Sequence, residues 1–179
     1  MKNLVISPME GQPFSISEFA GRVCVIAFIS KAACHTGPSL ELVDQLLLEI
    51  GPKQFMSAAC IVDLDRDERI REYSPFLIPI GAAPRRQVAD YLNVSMSGFA
   101  LPQFLLLDRN GKHRYLLCVP QGDDFWEMVD GLRKMVDILL EEKAVVTDGV
   151  VHRSSRPNFP PDSQADNSVG PVTGQEQSA

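Results

Sequence analysis

Residues 103–119, QFLLLDRNGKHRYLLCV, hold two apolar runs on either side of Asn110-Gly111. Asn-Gly is the preferred dipeptide of a tight antiparallel hairpin turn, because its residues tolerate positive φ, so this stretch predicts a β-hairpin. Working outward, RVCVIAFIS (22–30) is a continuous β-branched and apolar run, the pattern of a strand buried on both faces. FMSAACIVDLD (55–65) reads as a second such strand. Between them, SLELVDQLLLEIG places Leu40, Val43, Leu46, Leu47 and Ile50 at helical spacing and then meets the stop signal Gly51-Pro52. A strand–helix–strand unit and a hairpin in one chain predict an α/β fold with a mixed central sheet and helices on both faces.

The remaining elements fit that frame. Asp65 can cap a helix over RDERIREYS (66–74), PFLIPIG (75–81) reads as a short strand or extended piece, and PRRQVADYLNV (84–94) reads as a helix with Pro84 at its start. DDFWEMVDGLRKMVDILLEE (123–142) opens with two acids that complement the helix dipole, and its periodicity packs Phe125, Val129, Leu132, Val136 and Leu139 or Leu140. After about residue 143 the chain turns rich in Pro, Ser, Gln, Gly and Asp, with too few large apolar residues to offset the entropy of ordering. Residues 1–143 are therefore expected to form one domain, and 144–179 a disordered C-terminal tail.

Composition excludes several classes of function. The chain has 179 residues, 45% of them hydrophobic, and a net charge of -6. Its Lys and Arg are dispersed, whereas nucleic-acid binding needs them clustered. No apolar run approaches the roughly 18 to 20 residues of a membrane span, and the N-terminal stretch lacks the pattern of a signal peptide. The expectation is a cytoplasmic protein with no nucleic-acid or membrane partner. Its four cysteines, 24, 34, 60 and 118, include no C-x-x-C and no zinc-ligand pair, so neither a disulfide framework nor a metal is expected.

Two phrases carry a family resemblance. GQPFSISEFAGRVCVIAFIS (11–30) is similar to the entrance of the TlpA/ResA-like and peroxiredoxin-like (alkyl hydroperoxide reductase/thiol-specific antioxidant) proteins, and YLNVSMSGFALPQFLLLDRNGKHRYLL (91–117) resembles their later core phrase. The resemblance covers residues 8–142 and implies a thioredoxin fold. It further implies that Pro102 is cis and faces a reactive cysteine across a shallow groove, that Leu101 offers backbone groups to a bound peptide, and that Cys34 occupies the position of the first active-site cysteine.

Cys34 stands between a strand end and a helix start, where the positive end of the helix dipole favours thiolate over thiol, and Lys31 and His35 add positive potential. Against the family pattern, the loop from Phe28 to Cys34 is one residue longer and the second active-site cysteine falls at Gly37. Ala33 replaces an aromatic residue, and Ala27 replaces a buried acid. A lone thiol cannot resolve its own mixed disulfide, so the expected chemistry is monothiol: exchange with a protein disulfide or glutathione, or oxidation by peroxide. No cofactor is implied. The alternative is a degenerate, non-catalytic thioredoxin-fold binding module that keeps the groove beside Pro102. Cys24, Cys60 and Cys118, all within apolar strand runs, are expected to be small hydrophobes of the core, and Trp126 to be core of the last helix. His113, beside the hairpin turn, and His152 are expected at the surface.

Overall fold

The computed structural model describes residues 3–8, 12–31, 35–63, 76–119 and 125–142. The chain divides into two units, Met1–Asp148 and Gly149–Ala179, and every described residue belongs to the first. The expected helix over 66–74, with Asp65, and the expected tail lie outside the described residues, as do Cys34, Asp123, Asp124 and His152.

Among the described residues, seven strands form one sheet in the order β2 (Phe14–Ser15), β1 (Val5–Pro8), β5 (Ile80–Ala83), β4 (Phe55–Val62), β3 (Val23–Ile29), β6 (Gln103–Leu107) and β7 (His113–Cys118). Its centre is the pair read from sequence. β3 (Val23–Ile29) and β4 (Phe55–Val62) run parallel and are buried at every residue, as continuous apolar runs covered on both faces must be. β6 (Gln103–Leu107) flanks β3 antiparallel and β7 (His113–Cys118) completes the hairpin at the sheet edge.

The alternation of side chains along β3 builds two cores. Val23, Val25, Ala27 and Ile29 face the helices α1 (Thr36–Ile50) and α3 (Phe125–Glu141). Cys24, Ile26 and Phe28 face α2 (Arg85–Leu92), together with Ile16 and Phe19 of a 3-10 turn capped by Ser15. Helices thus cover both faces of a mixed sheet, as expected. In α3 the buried set is Phe125, Val129, Leu132, Val136 and Leu139, with Leu140 half-buried.

Several expectations are corrected. The N-terminal residues add β1 (Val5–Pro8) and β2 (Phe14–Ser15), too short for periodicity to betray, and β1 pairs antiparallel with β5 (Ile80–Ala83). Gly81 permits that pairing: a Cβ there would stand 2.6 Å from Ile6 Cγ2 and 2.8 Å from the Ser7 carbonyl oxygen. The hairpin forms as expected, with a turn over residues 108–112. The Asp108 carboxylate accepts from the amides of Asn110 (2.9 Å) and Lys112 (3.0 Å), only Gly111 takes positive φ (72°), and the register shifts at Leu106/Leu107. A side chain that satisfies two backbone donors sets the form of this turn. Trp126 is 70% exposed, because the inward stripe of α3 passes through its neighbour Phe125. Cys118 is exposed as well, being the last residue of an edge strand.

Candidate functional site

The place to look for chemistry is the end of β3. The chain leaves that strand through Ser30 and Lys31 and re-enters the described residues at His35, which caps the start of α1. Cys34 falls between them and lies outside the described residues. Three described elements come together at this end of β3.

The first is α1. His35 makes no side-chain capping bond, the first turn contains no acid, and Pro38 has no amide to offer. The amides of Thr36 and Gly37 and the positive end of the dipole are therefore not offset by a carboxylate within the helix. The Thr36 hydroxyl donates to the Ser30 carbonyl at 2.5 Å, tying the helix start to the strand end. Helical phase turns Thr36, Ser39, Leu40 and Val43 inward, and Ser39 is fully buried. Gly37, where the family pattern puts a second cysteine, is exposed instead, with open space where a Cβ would stand.

The second is the entry to β6. The Leu101-Pro102 peptide bond is cis, as the resemblance implied. Phe28 pairs with Gln103, which brings Leu101 and Pro102 beside the outgoing end of β3. Leu101 is half-buried and Pro102 buried, and the Pro102 carbonyl accepts from the Val119 amide at 3.1 Å. The third is α3, whose Phe125 ring stacks on the His35 imidazole with centroids 5.0 Å apart and planes 10° from parallel. Trp126 packs edge-on against Phe125 at 5.3 Å and carries the aromatic surface outward. Lys31 is exposed at the rim.

His35, Leu101, Pro102 and Phe125 are thus gathered at one end of the sheet. Sequence reasoning missed Thr36, Ser39 and Phe125 as parts of this place. The phase of α1 held the signal for the first two: carrying the Leu40/Val43 stripe back one turn reaches Ser39 and Thr36.

The other thiols divide by exposure. Burial pushes the Cys24 thiol far up, against a smaller opposing effect of Arg22, and pushes Cys60 up to about 12, against a backbone hydrogen bond at Ala83. Both remain neutral and unreactive at ordinary pH. Cys118 ends β7 opposite Gln103. Elsewhere, His113 is exposed and meets the Tyr91 ring edge-on at 4.8 Å; partial burial lowers its pKa. Ala27, at the site of the family's buried acid, is fully buried between Ala59 and Phe104, so this position supplies no carboxylate.

No protein-family model matches the chain, and no curated protein matches it. Solved structures do. A candidate thiol:disulfide interchange protein DsbE from Chlorobium tepidum superposes with a TM-score of 0.65 at 16% identity, over 77% of this chain and 93% of that one. A thiol:disulfide interchange protein of the thioredoxin family from Chlorobium tepidum TLS gives a TM-score of 0.62 at 13% identity, over 78% and 94%. The DsbF protein of MTB, in its mixed oxidized and reduced forms, gives 0.58 at 15%, over 77% and 96%. At these identities the likeness is one of architecture: the chain has the thioredoxin fold. Among the described residues no helix is long and apolar enough to cross a membrane.

Proposed function

We propose that this chain is a thiol-based redox protein that acts through a single cysteine, Cys34, as the nucleophile in disulfide exchange. In this reading Cys34 thiolate attacks a disulfide of a protein or of glutathione, forming a mixed disulfide and releasing the partner's second sulfur as a thiolate. A further thiol then attacks that mixed disulfide and restores Cys34. Peroxide is a second oxidant class: the thiolate attacks one oxygen, the O–O bond breaks, and sulfenic acid forms as hydroxide leaves and takes a proton from solvent. Lys31 and His35 raise the local positive potential, and Leu101 and Pro102 line the groove that receives an extended substrate. The compartment in this reading is the cytoplasm.

The observation that carries this reading is the convergence, at the end of β3, of an α1 start free of acids in its first turn and the Leu101-Pro102 segment that leads into β6. The first favours a thiolate, and the second belongs to a surface that offers backbone groups to a peptide. Likeness in fold to two thiol:disulfide interchange proteins supports it.

A second reading, a non-catalytic binding module using the same groove, is favoured by Gly37 and Ala27, which supply neither a second thiol nor a buried carboxylate. The test uses Cys118→Ser as the background, because Cys118 is exposed and would contribute its own exchange. Reduction of hydroxyethyl disulfide by glutathione is expected to be catalysed in that background and to fall to the uncatalysed rate when Cys34→Ser is added. Equal rates with and without Cys34 would overturn the redox reading and leave the binding module.

A further inference from the structure

Gln103 opens β6 with 1% of its surface exposed, and its side-chain carbonyl oxygen, Oε1, has no hydrogen-bond partner among the described residues. Burying an amide oxygen with no donor costs free energy, and a donor created on a neighbouring side chain would relieve that cost.

Strand pairing sets the neighbour. Gln103 stands between Phe28 of β3 and Cys118, the last residue of β7. The Val119 amide donates to the Pro102 carbonyl at 3.1 Å, one step outside the Gln103/Cys118 pair. That bond makes the two residues a non-hydrogen-bonded antiparallel pair, the kind whose side chains come closest, with Cβ atoms about 4.5–5.5 Å apart. Both side chains leave the sheet on the α2 face. Phe28 and Leu105 belong to the core on that face, and Leu116 of β7 packs against it. Cys24 and Cys60 share the face but are buried, whereas Cys118 lies on the sheet edge and is exposed. A thiol is a weak hydrogen-bond donor; a sulfenic acid carries an O–H one bond beyond the sulfur and is a full one.

We infer that Cys118 is a site of reversible oxidation by hydroperoxides, and that Gln103 Oε1 accepts a hydrogen bond from the sulfenic acid formed there. The Cys118 thiolate attacks the peroxide's O–H oxygen, and an S–O bond forms as the O–O bond breaks. Sulfur loses an electron pair to the peroxide, and the departing hydroxide or alkoxide takes a proton from solvent. The proton already on the transferred oxygen stays with it and becomes the donor to Gln103. A small-molecule thiol reverses the change: its sulfur bonds to Cys118 as water leaves, and a second such thiol displaces the Cys118 thiolate. This site is separate from the one proposed above and stands whether or not Cys34 is a nucleophile.

The test uses the full chain carrying Cys34→Ser, so that the readout owes nothing to Cys34, alone and combined with Gln103→Leu or Gln103→Met. Each protein is treated with hydrogen peroxide, the excess is removed with catalase, and dimedone is added after increasing delays to trap sulfenic acid. Mass spectrometry reads the trapped fraction at Cys118. Both Gln103 variants remove the acceptor and keep an apolar side chain of similar size, so they are expected to hold or raise the thermal midpoint. A Cys118 adduct is expected in the parent, and its yield is expected to decay about tenfold faster with delay in the two variants. Absence of the adduct in the parent would overturn the site without reference to either variant. Decay as slow in a folded Gln103 variant as in the parent would overturn the part assigned to Gln103.

Discussion

Single residues separate the thiols of this chain. Cys24 and Cys60 occupy central strands with no exposure to speak of, and burial raises both thiols, Cys60 to about 12. A raised acid binds its proton more tightly folded than unfolded, so it stabilises the fold fully below the unfolded thiol value of about 8.5 and loses that contribution as pH rises toward the folded one. Stability is therefore expected to fall between about pH 8.5 and 10, each thiol adding a slope approaching about 1.4 kcal/mol per pH unit. Urea midpoints across that range are expected to decline more gently in Cys60→Ala than in the parent; parallel curves would contradict the assignment. The sequence pattern was enough to read these two as core, because they sit inside uninterrupted apolar runs. It misread Cys118, whose run is just as apolar, because periodicity does not say which strand of a hairpin will end at the sheet edge.

At the scale of elements, the start of α3 shows how adjacent aromatic residues take opposite roles. Phe125 is 3% exposed and stacks on His35, while Trp126 is 70% exposed. Phe125→Ala is expected to cost about 3–5 kcal/mol, through lost burial and the cavity left between α3 and α1. Trp126→Ala is expected to stay within about 0.5 kcal/mol. Chemical denaturation of the two variants checks this, and a comparable loss in both would mean that Trp126 is buried in solution. Reading 123–142 as one amphipathic helix captured its five inward residues, since a seventeen-residue helix repeats its period often enough to be seen. It put Trp126 inside on size and hydrophobicity alone, although one step along a helix turns a side chain by about 100° away from the core stripe. The hairpin shows the same limit. Its existence was legible from Asn110-Gly111, but its turn is decided by the Asp108 carboxylate and by Arg109, whose guanidinium donates to the carbonyls of Leu139, Leu140 and Glu142 at the end of α3. That contact joins positions some thirty residues apart, which no local pattern contains.

For the described part of the molecule as a whole, the mixed sheet, the helices on both faces and the cis Leu101-Pro102 bond were all accessible from sequence, the last through the family phrase around it. The short strands β1 and β2 were not, because two to four residues carry no period and their place depends on Gly81 leaving room for the chain to pass. The candidate site was legible as a location, the end of β3 against the start of α1. Its inward hydroxyls and its stacked imidazole were not, since both depend on which way α1 is turned once its apolar stripe meets the sheet. What this architecture does in the cell turns on whether the helix start it presents activates Cys34, the residue that precedes His35 in the chain. The most direct measurement is the pH dependence of alkylation at each cysteine of the unmodified chain, read separately for Cys34 and Cys118. Cys34 is predicted to label first at neutral pH, with a midpoint well below about 8.5. A Cys34 that labels no faster than the exposed Cys118, with a midpoint at or above that value, would contradict the account and mark the thioredoxin fold here as a scaffold for binding.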